Sequence, residues 1–313
     1  MSQIKFTIII PHKNIPDLLA RCVESIPKRM DIQVIIVDDN SDPEKRELNR
    51  FSDLRNNSVE VIYTKEGKGA GYARNIGIKH AKGEWLLFAD ADDYFCTENI
   101  NALFNITLPD DCEVVSWQYC RVDHTGHNIK SFKQKAYNND VVLVKCDDVM
   151  YQFDNCTPWV RMVKTDLIRR NNILFEEVPV SNDVMFAAKI AVSIDHYYFY
   201  NAVCYYYVQR NQSLMTLHSV EKIKVREEVE IRVYEFLKKH GKSISYNGGY
   251  GNWLAQVHYP TFFKTFCKDI INYGFVNAYR RYSISCHKKE SPISMIPYYT
   301  YLKRKLKKVF FRK

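Results

Sequence analysis

The stretch Gly83-Glu-Trp-Leu-Leu-Phe-Ala-Asp90-Ala-Asp92-Asp93-Tyr-Phe95 runs an apolar segment straight into three carboxylates. Trp85 to Ala89 is short and uninterrupted, which predicts a strand covered on both faces, as in the parallel sheet of an α/β domain. Asp90, Asp92 and Asp93 fall just past its carboxyl end, the edge of an open α/β sheet where ligands bind. In an extended chain Asp90 and Asp92 share one side, because side chains alternate with period two. Two such carboxylates repel each other unless a hard cation sits between them and a phosphate. Mg2+ or Mn2+ accepts one or two protein carboxylates and fills its other positions with substrate oxygens and water. The competing reading is an acidic turn ahead of a helix opened by Thr97 and Glu98.

Upstream the pattern repeats. Phe6 to Ile10 predicts a first buried strand ended by Pro11, followed by a helix with Leu18, Leu19, Cys22, Val23 and Ile26 on one face. Gln33 to Val37 predicts a second strand, and it too ends in acid, Asp38-Asp39-Asn40-Ser41. Asp42-Pro43-Glu44 then carries the signals of a helix start. Val59 to Tyr63 is the third strand. Glu66-Gly67-Lys68-Gly69-Ala70-Gly71 leads into a helix over Tyr72 to Lys82 that Gly83 would terminate. Strands spaced by roughly 25 to 30 residues with helices or loops between them are βαβ units, hence a mostly parallel, doubly wound α/β sheet.

After residue 105 the pattern changes. Val114 to Trp117 and Tyr119 to Val122, with a turn at His124-Thr125-Gly126, read as antiparallel strands. Pro158 to Val163 reads as a strand, Asn182 to Ala191 as a short helix and Tyr197 to Val208 as an aromatic strand. From Ser219 the periodicity is helical, with Val225, Val229, Val233 and Phe236 on one face. The expected organisation is thus 1–105, 106–210 and a helical extension over 211–313.

At 313 residues the chain can build one large core or two domains. Its 46% apolar and 26% charged content is that of a folded soluble protein. The nine cysteines are scattered and never spaced as Cys-x-x-Cys, which argues for reduced thiols in the cytosol and against a disulfide frame or zinc site. No signal peptide precedes Phe6, and no apolar run reaches the ~18 residues that span a bilayer. The expected location is therefore the cytoplasmic side.

Gly67-x-Gly69-x-Gly71 invites a dinucleotide reading, but that fingerprint follows the first strand, and here the glycines arrive after the third. No Walker pattern is present. What remains is a nucleotide fold with acids ending strands two and four, and a Gly-rich loop leading to a helix that carries Arg74.

Four stretches carry a resemblance: Thr7-Ile-Ile-Ile-Pro11-His12-Lys13-Asn14, Val37-Asp38-Asp39-Asn40-Ser41, Gly71-Tyr72-Ala73-Arg74-Asn75-Ile76-Gly77 and the acidic stretch ending Asp90-Ala-Asp92-Asp93. In this order they resemble the motifs of family 2 glycosyltransferases of the GT-A fold. The likeness continues more weakly through Pro158-Trp159, Ile173-Leu-Phe175 and Asn182-Asp183-Val184-Met185-Phe186 to about residue 215. The resemblance implies an inverting transfer of a sugar from a nucleotide diphosphate, UDP being expected, to an acceptor hydroxyl. It implies that Asp39 accepts the imide hydrogen of uracil, that Pro11 and His12 line the same crevice through backbone and ring contacts, and that Arg74 faces the diphosphate. Asp90 matches the acid that holds the ribose or the metal, and Asp92 the metal ligand, with Mg2+ or Mn2+ neutralising the leaving group. Asp183 matches the catalytic base, although Asn182 stands where the family has a first acid; the competing reading is an ordinary helix-start acid. The family often has an aromatic residue at the position of Lys13. Alternatives are a sugar-nucleotide nucleotidyltransferase and a noncatalytic nucleotide-binding protein.

The net charge of +9 is concentrated in a tail: Lys303, Arg304, Lys305, Lys307, Lys308, Arg312 and Lys313 leave only +2 for the rest of the chain. Leu302, Leu306, Val309 and Phe310 mark one helical face among these charges. A basic amphipathic helix of this kind lies on anionic lipid; a solubilising end and a nucleic-acid patch are the competing readings. Because the resemblance implies glycan or lipid-linked sugar acceptors at the cytoplasmic leaflet, the expectation is a peripheral membrane contact through 298–313 and no nucleic-acid partner.

Overall fold

A computed structural model describes residues 3–46, 51, 58–130, 143–209, 220–242, 267–272 and 274. The chain divides into two compact units, Met1–Ser213 and Leu214–Lys313. The first unit opens with the predicted alternation: β1 (Phe6–His12), α1 (Pro16–Glu24), β2 (Ile32–Asp38), β3 (Ser58–Tyr63), α2 (Ala70–His80) and β4 (Trp85–Phe88). These strands are parallel in the order β3-β2-β1-β4. Every residue of β1 and β2 is buried, because period two sends alternate side chains into two cores. Phe6, Ile8, Ile10, Val34, Ile36, Trp85 and Leu87 join Leu19, Cys22 and Val23 of α1. Ile9, Ile35, Val37, Leu86 and Phe88 join Ala73 and Ile78 of α2 on the opposite side.

The rest of the unit extends this sheet. It contributes β5 (Tyr94–Phe95), α3 (Thr97–Phe104), β6 (Val114–Val122), β7 (Asn128–Lys130), β8 (Leu143–Cys146), α4 (Tyr151–Asp154), β9 (Arg161–Lys164), α5 (Thr165–Arg170), α6 (Val184–Ser193) and β10 (Tyr197–Val208). Strand β9 lies antiparallel between β4 and β6, β10 is parallel to β6, and β5 pairs antiparallel with β10. With β7 on β6 and β8 on β10, the described residues form one ten-stranded mixed sheet.

Four local expectations change. Residues 114–122 form one strand, not two, and the turn after it leads to β7 as the hairpin partner. Pro158–Val160 is a 3-10 turn, and β9 starts only at Arg161. Pro43–Lys45 is likewise a 3-10 turn; residues 47–50 lie outside the described set. Gly83 does not end α2, which stops at His80 with Ala81 extended. A Cβ on Gly83 would lie 2.6 Å from the carbonyl carbon of Phe6 and from the amide nitrogen of Thr7, so glycine is required there for the approach to β1.

The second unit contains α7 (Val220–Lys239), in which Val229, Val233 and Leu237 recur every fourth residue and are buried. No described helix is long and apolar enough to cross a membrane. All cysteines among the described residues are free. The basic stretch 298–313 lies outside the described residues.

Candidate active site

The two acids that end β2 do different jobs. Asp38 is fully buried and accepts hydrogen bonds from His12 Nδ1 (2.8 Å), the Ser41 amide (2.9 Å) and Ser41 Oγ (2.5 Å). Burial pushes its pKa up, but the His12 and Ser41 donors outweigh burial and hold it below the ordinary carboxylate value. His12 Nε2 accepts the Ile15 amide at 3.1 Å, so the ring is the Nδ1–H tautomer with both nitrogens used inside the chain. The expected ring contact of His12 with the crevice is therefore not made: its imidazole holds Asp38, and its carbonyl accepts the Asp39 amide (2.8 Å). Pro11 sits opposite Val37 in the β1–β2 register. It lies past the Ile9–Phe88 pair where β4 leaves β1, so its missing N–H costs no ladder bond.

Asp39 faces the other way. It is 4% exposed, and its Oδ2 accepts the Gly69 amide at 2.8 Å with Lys13 Nζ at 3.7 Å. Its Oδ1 is buried and has no hydrogen-bond partner. An orphaned acceptor of this kind costs about 1–3 kcal/mol, which marks a place for a ligand donor. The loops converging here are clasped together: Asn14 Nδ2 donates to Asp42 Oδ2 (3.0 Å), and the Asp42 amide donates to Asn14 Oδ1 (2.8 Å). Asn14 and Asn40 both take positive φ, which asparagine tolerates better than most residues.

Gly69 immediately precedes α2, and Arg74 lies in the second turn of that helix. The Arg74 guanidinium is buried over the Phe175 ring, with Cζ 5.2 Å from its centroid. Its Nη2 donates to Asp90 Oδ1 (2.6 Å) and its Nη1 to Asn182 Oδ1 (2.8 Å). One fork thereby joins the end of β4 to the loop that precedes α6.

Asp90, Asp92 and Asp93 each bring a carboxylate oxygen within 4.8 Å of the others. Asp93 is the odd member. It is 1% exposed, its Oδ1 accepts the Val208 amide (2.8 Å) and its Oδ2 the Tyr205 hydroxyl (3.2 Å). Burial first, then Asp92 and Asp90, push its pKa well above the carboxylate range. The Tyr205 oxygen also accepts the Asp90 amide (2.9 Å), and Arg21 donates to the Asp92 carbonyl (2.6 Å). Asp93 is thus an anchor for the loop, while Asp90 and Asp92 stay partly exposed. Among the described residues these two are the ones suited to hold a hard cation.

Asp183 stands immediately before α6, after Ser181 at φ +58°, and makes no capping bond to that helix. Asp183 thus occupies the helix-start position of the competing reading, with its carboxylate not spent on the first-turn amides. Burial raises its pKa, Arg74 opposes the rise and Asp90 adds to it. The loop is fixed by the Glu176 amide donating to the Asn182 carbonyl (3.1 Å). A Cβ on Gly71 would come 2.2 Å from the Glu176 carbonyl oxygen and 3.1 Å from Asn182 Cβ, so only glycine lets α2 approach this loop so closely. The N-terminal end of α2 is the hub: Asp39 meets it at Gly69, Asp90 and Asn182 meet it at Arg74, and Asp183 is Asn182's neighbour. Tyr205, Arg21 and the anchoring role of Asp93 were absent from the sequence reading, because each acts through a partner 71 to 115 residues away.

The profile of glycosyl transferase family 2 matches residues 7–163, from β1 into β9, and takes in Asp39, Arg74, Asp90 and Asp92. The chain belongs to glycosyl transferase family 2. A poly(ribitol-phosphate) beta-glucosyltransferase of Bacillus spizizenii is 30% identical over 210 residues, which is 63% of this chain and 32% of that protein. The family 2 chain described here thus spans about a third of that relative's length. The crystal structure of S. aureus TarS 1-349 in complex with UDP-GlcNAc has a TM-score of 0.61 at 18% identity, covering 90% of this chain and 81% of that one. A structure of GalNAc-T7 with UDP, GalNAc and Mn2+ has a TM-score of 0.53 at 17% identity, covering 75% and 48%. These are likenesses of fold, the mixed α/β sheet of the GT-A class.

Proposed function

We propose that this chain transfers a sugar, with inversion, from a nucleoside diphosphate donor, UDP being the nucleotide, to a hydroxyl of a glycan or lipid-linked sugar in cell-surface glycan assembly. The observation that carries the reading is the Arg74 fork, which draws Asp90 and the neighbour of Asp183 to one point. Residues 1–105 would be the donor half, 106–210 the acceptor half and 211–313 an extension.

In this scheme the unpaired Oδ1 of Asp39 takes the imide N–H of uracil, beside the Pro11–His12 turn. Arg74 contributes positive charge toward the diphosphate. Asp90 and Asp92 would hold Mg2+ or Mn2+, which when bound supplies charge neutralisation on the departing diphosphate; the GalNAc-T7 structure of similar fold contains Mn2+. Asp183 takes the proton of the acceptor hydroxyl on the side of the sugar away from the leaving group, so the new bond forms with inverted configuration. Its raised pKa makes it a better proton acceptor than an ordinary carboxylate. The basic stretch 298–313 would hold the chain on the anionic inner face of the cytoplasmic membrane.

The test is a panel of UDP and GDP sugars with nucleotide release as the readout. Release of nucleoside diphosphate that disappears in chelator and in Asp92→Ala is expected. Pyrophosphate release would assign a nucleotidyltransferase instead, and absence of turnover a binding protein. For the tail, anionic liposomes should retain the full chain and not one lacking residues 298–313; equal retention would remove the membrane role.

A further inference from the structure

We infer that Lys13 reads a carbonyl of the nucleotide base and so acts with Asp39 as the pair that selects uracil. The inference rests on the proposed function in taking Asp39 as the base contact, and it goes beyond it in assigning the position where the family often has an aromatic ring. Lys13 follows β1 directly, and its ammonium stands 3.7 Å from Asp39 Oδ2, with the side chain 49% exposed. That separation is too long for a hydrogen bond, and a half-exposed ion pair contributes little. The ammonium therefore has donors to offer.

Asp39 supplies the other half of the pattern. Its Oδ2 is taken by the Gly69 amide, while Oδ1 is an unpartnered acceptor on a residue only 4% exposed. The site thus presents one open acceptor flanked by a half-exposed cationic donor. Uracil has the matching edge, an N3–H between two carbonyls, and matches it whichever side Lys13 approaches. Cytosine and adenine present a bare ring nitrogen to the carboxylate, which is repulsive. Guanine offers an N–H and one carbonyl, but its exocyclic amino group would have to share Oδ2 with the Gly69 amide, which makes it the second-best match. A polar site built this way rejects the mismatched base by leaving buried groups unpaired.

Titration calorimetry of the full chain with UDP, GDP, CDP and ADP in Mg2+ isolates the base, because the diphosphate is common to all four. The expected order is UDP tightest, then GDP, with CDP and ADP weakest. Lys13→Met should weaken UDP about tenfold and CDP by clearly less, and Lys13→Arg should retain the preference. Equal weakening of all four nucleotides would make Lys13 a phosphate contact, and an unchanged UDP-to-CDP ratio would remove it from the base; either result overturns the inference. Asp39→Asn separates this from the parent reading. Its amide oxygen stays with the Gly69 N–H and its NH2 turns to the base, so UDP should weaken and CDP gain. If Asp39→Asn left UDP binding intact, the base would not be at Asp39, and both readings would fall.

Discussion

The loops after β1 and β2 are tied to each other by a dense set of hydrogen bonds, His12 to Asp38, the Asn14 amide to Ser41 Oγ and Asn14 to Asp42. The loop carrying Asp183 is secured differently, by an Arg74 to Asn182 bond across 108 positions of chain, a backbone bond to Glu176 and a glycine contact. The first is redundant scaffolding around the proposed nucleotide site; the second is a few contacts that set the reach of one carboxylate. Damage to the former should show in folding stability and donor affinity, damage to the latter in turnover.

The largest effect should come from Asp183→Asn: a loss of about 10²–10⁴ in kcat with donor affinity intact, measured by steady-state kinetics beside UDP calorimetry. A matching loss of donor affinity would break the contrast. In the unaltered enzyme the acidic limb of the pH–rate profile should lie above the ordinary carboxylate range, because burial raises the Asp183 pKa and activity is lost as pH falls through it. Next is Gly71→Ala, whose added carbon would displace the Glu176–Asn182 loop. A shift near 1 Å costs on the order of 10²-fold in rate, with UDP binding preserved. Asp38→Asn belongs to the other side and should lower unfolding free energy by about 2–3 kcal/mol, read by denaturant melts. The native pKa of Asp38 is depressed, so its contribution is complete above its unfolded value and fades as pH drops through the folded one. The variant should therefore lose the part of the acid-induced fall in Tm that Asp38 causes. The mildest is Asn182→Ala, about tenfold in kcat with unchanged donor affinity, since the Glu176 bond remains.

The first four strands were legible because each is a short, largely apolar run, β1, β2 and β4 buried on both faces and β2 and β4 followed by acids, a local pattern that needs no partner to be read. Their crossover-linked spacing also implied parallel pairing. The entry of β9 beside β4 was not legible, because it depends on register between Trp85 and Lys164. Gly83 misled for a related reason: its nearest constraint is β1, not the helix before it. Alternation in an extended chain would put Asp90 and Asp92 on one side, but Ala91 and Asp92 lie in a turn closed by the Asp93 amide on the Asp90 carbonyl (3.0 Å), and separating Asp93 from its neighbours required Tyr205 and Val208. His12 is buried at the end of β1 and its ring serves Asp38 and the Ile15 amide, partners that its place in the sequence does not reveal.

Strand β9 has a consequence for how the polypeptide can be cut and how it is made. A fragment ending near residue 105 would leave the β4 side of the sheet with no neighbour, an open edge that recruits foreign strands. During synthesis that edge must wait until Arg161–Lys164 has emerged, so the first four strands are finished only by a segment translated well after them.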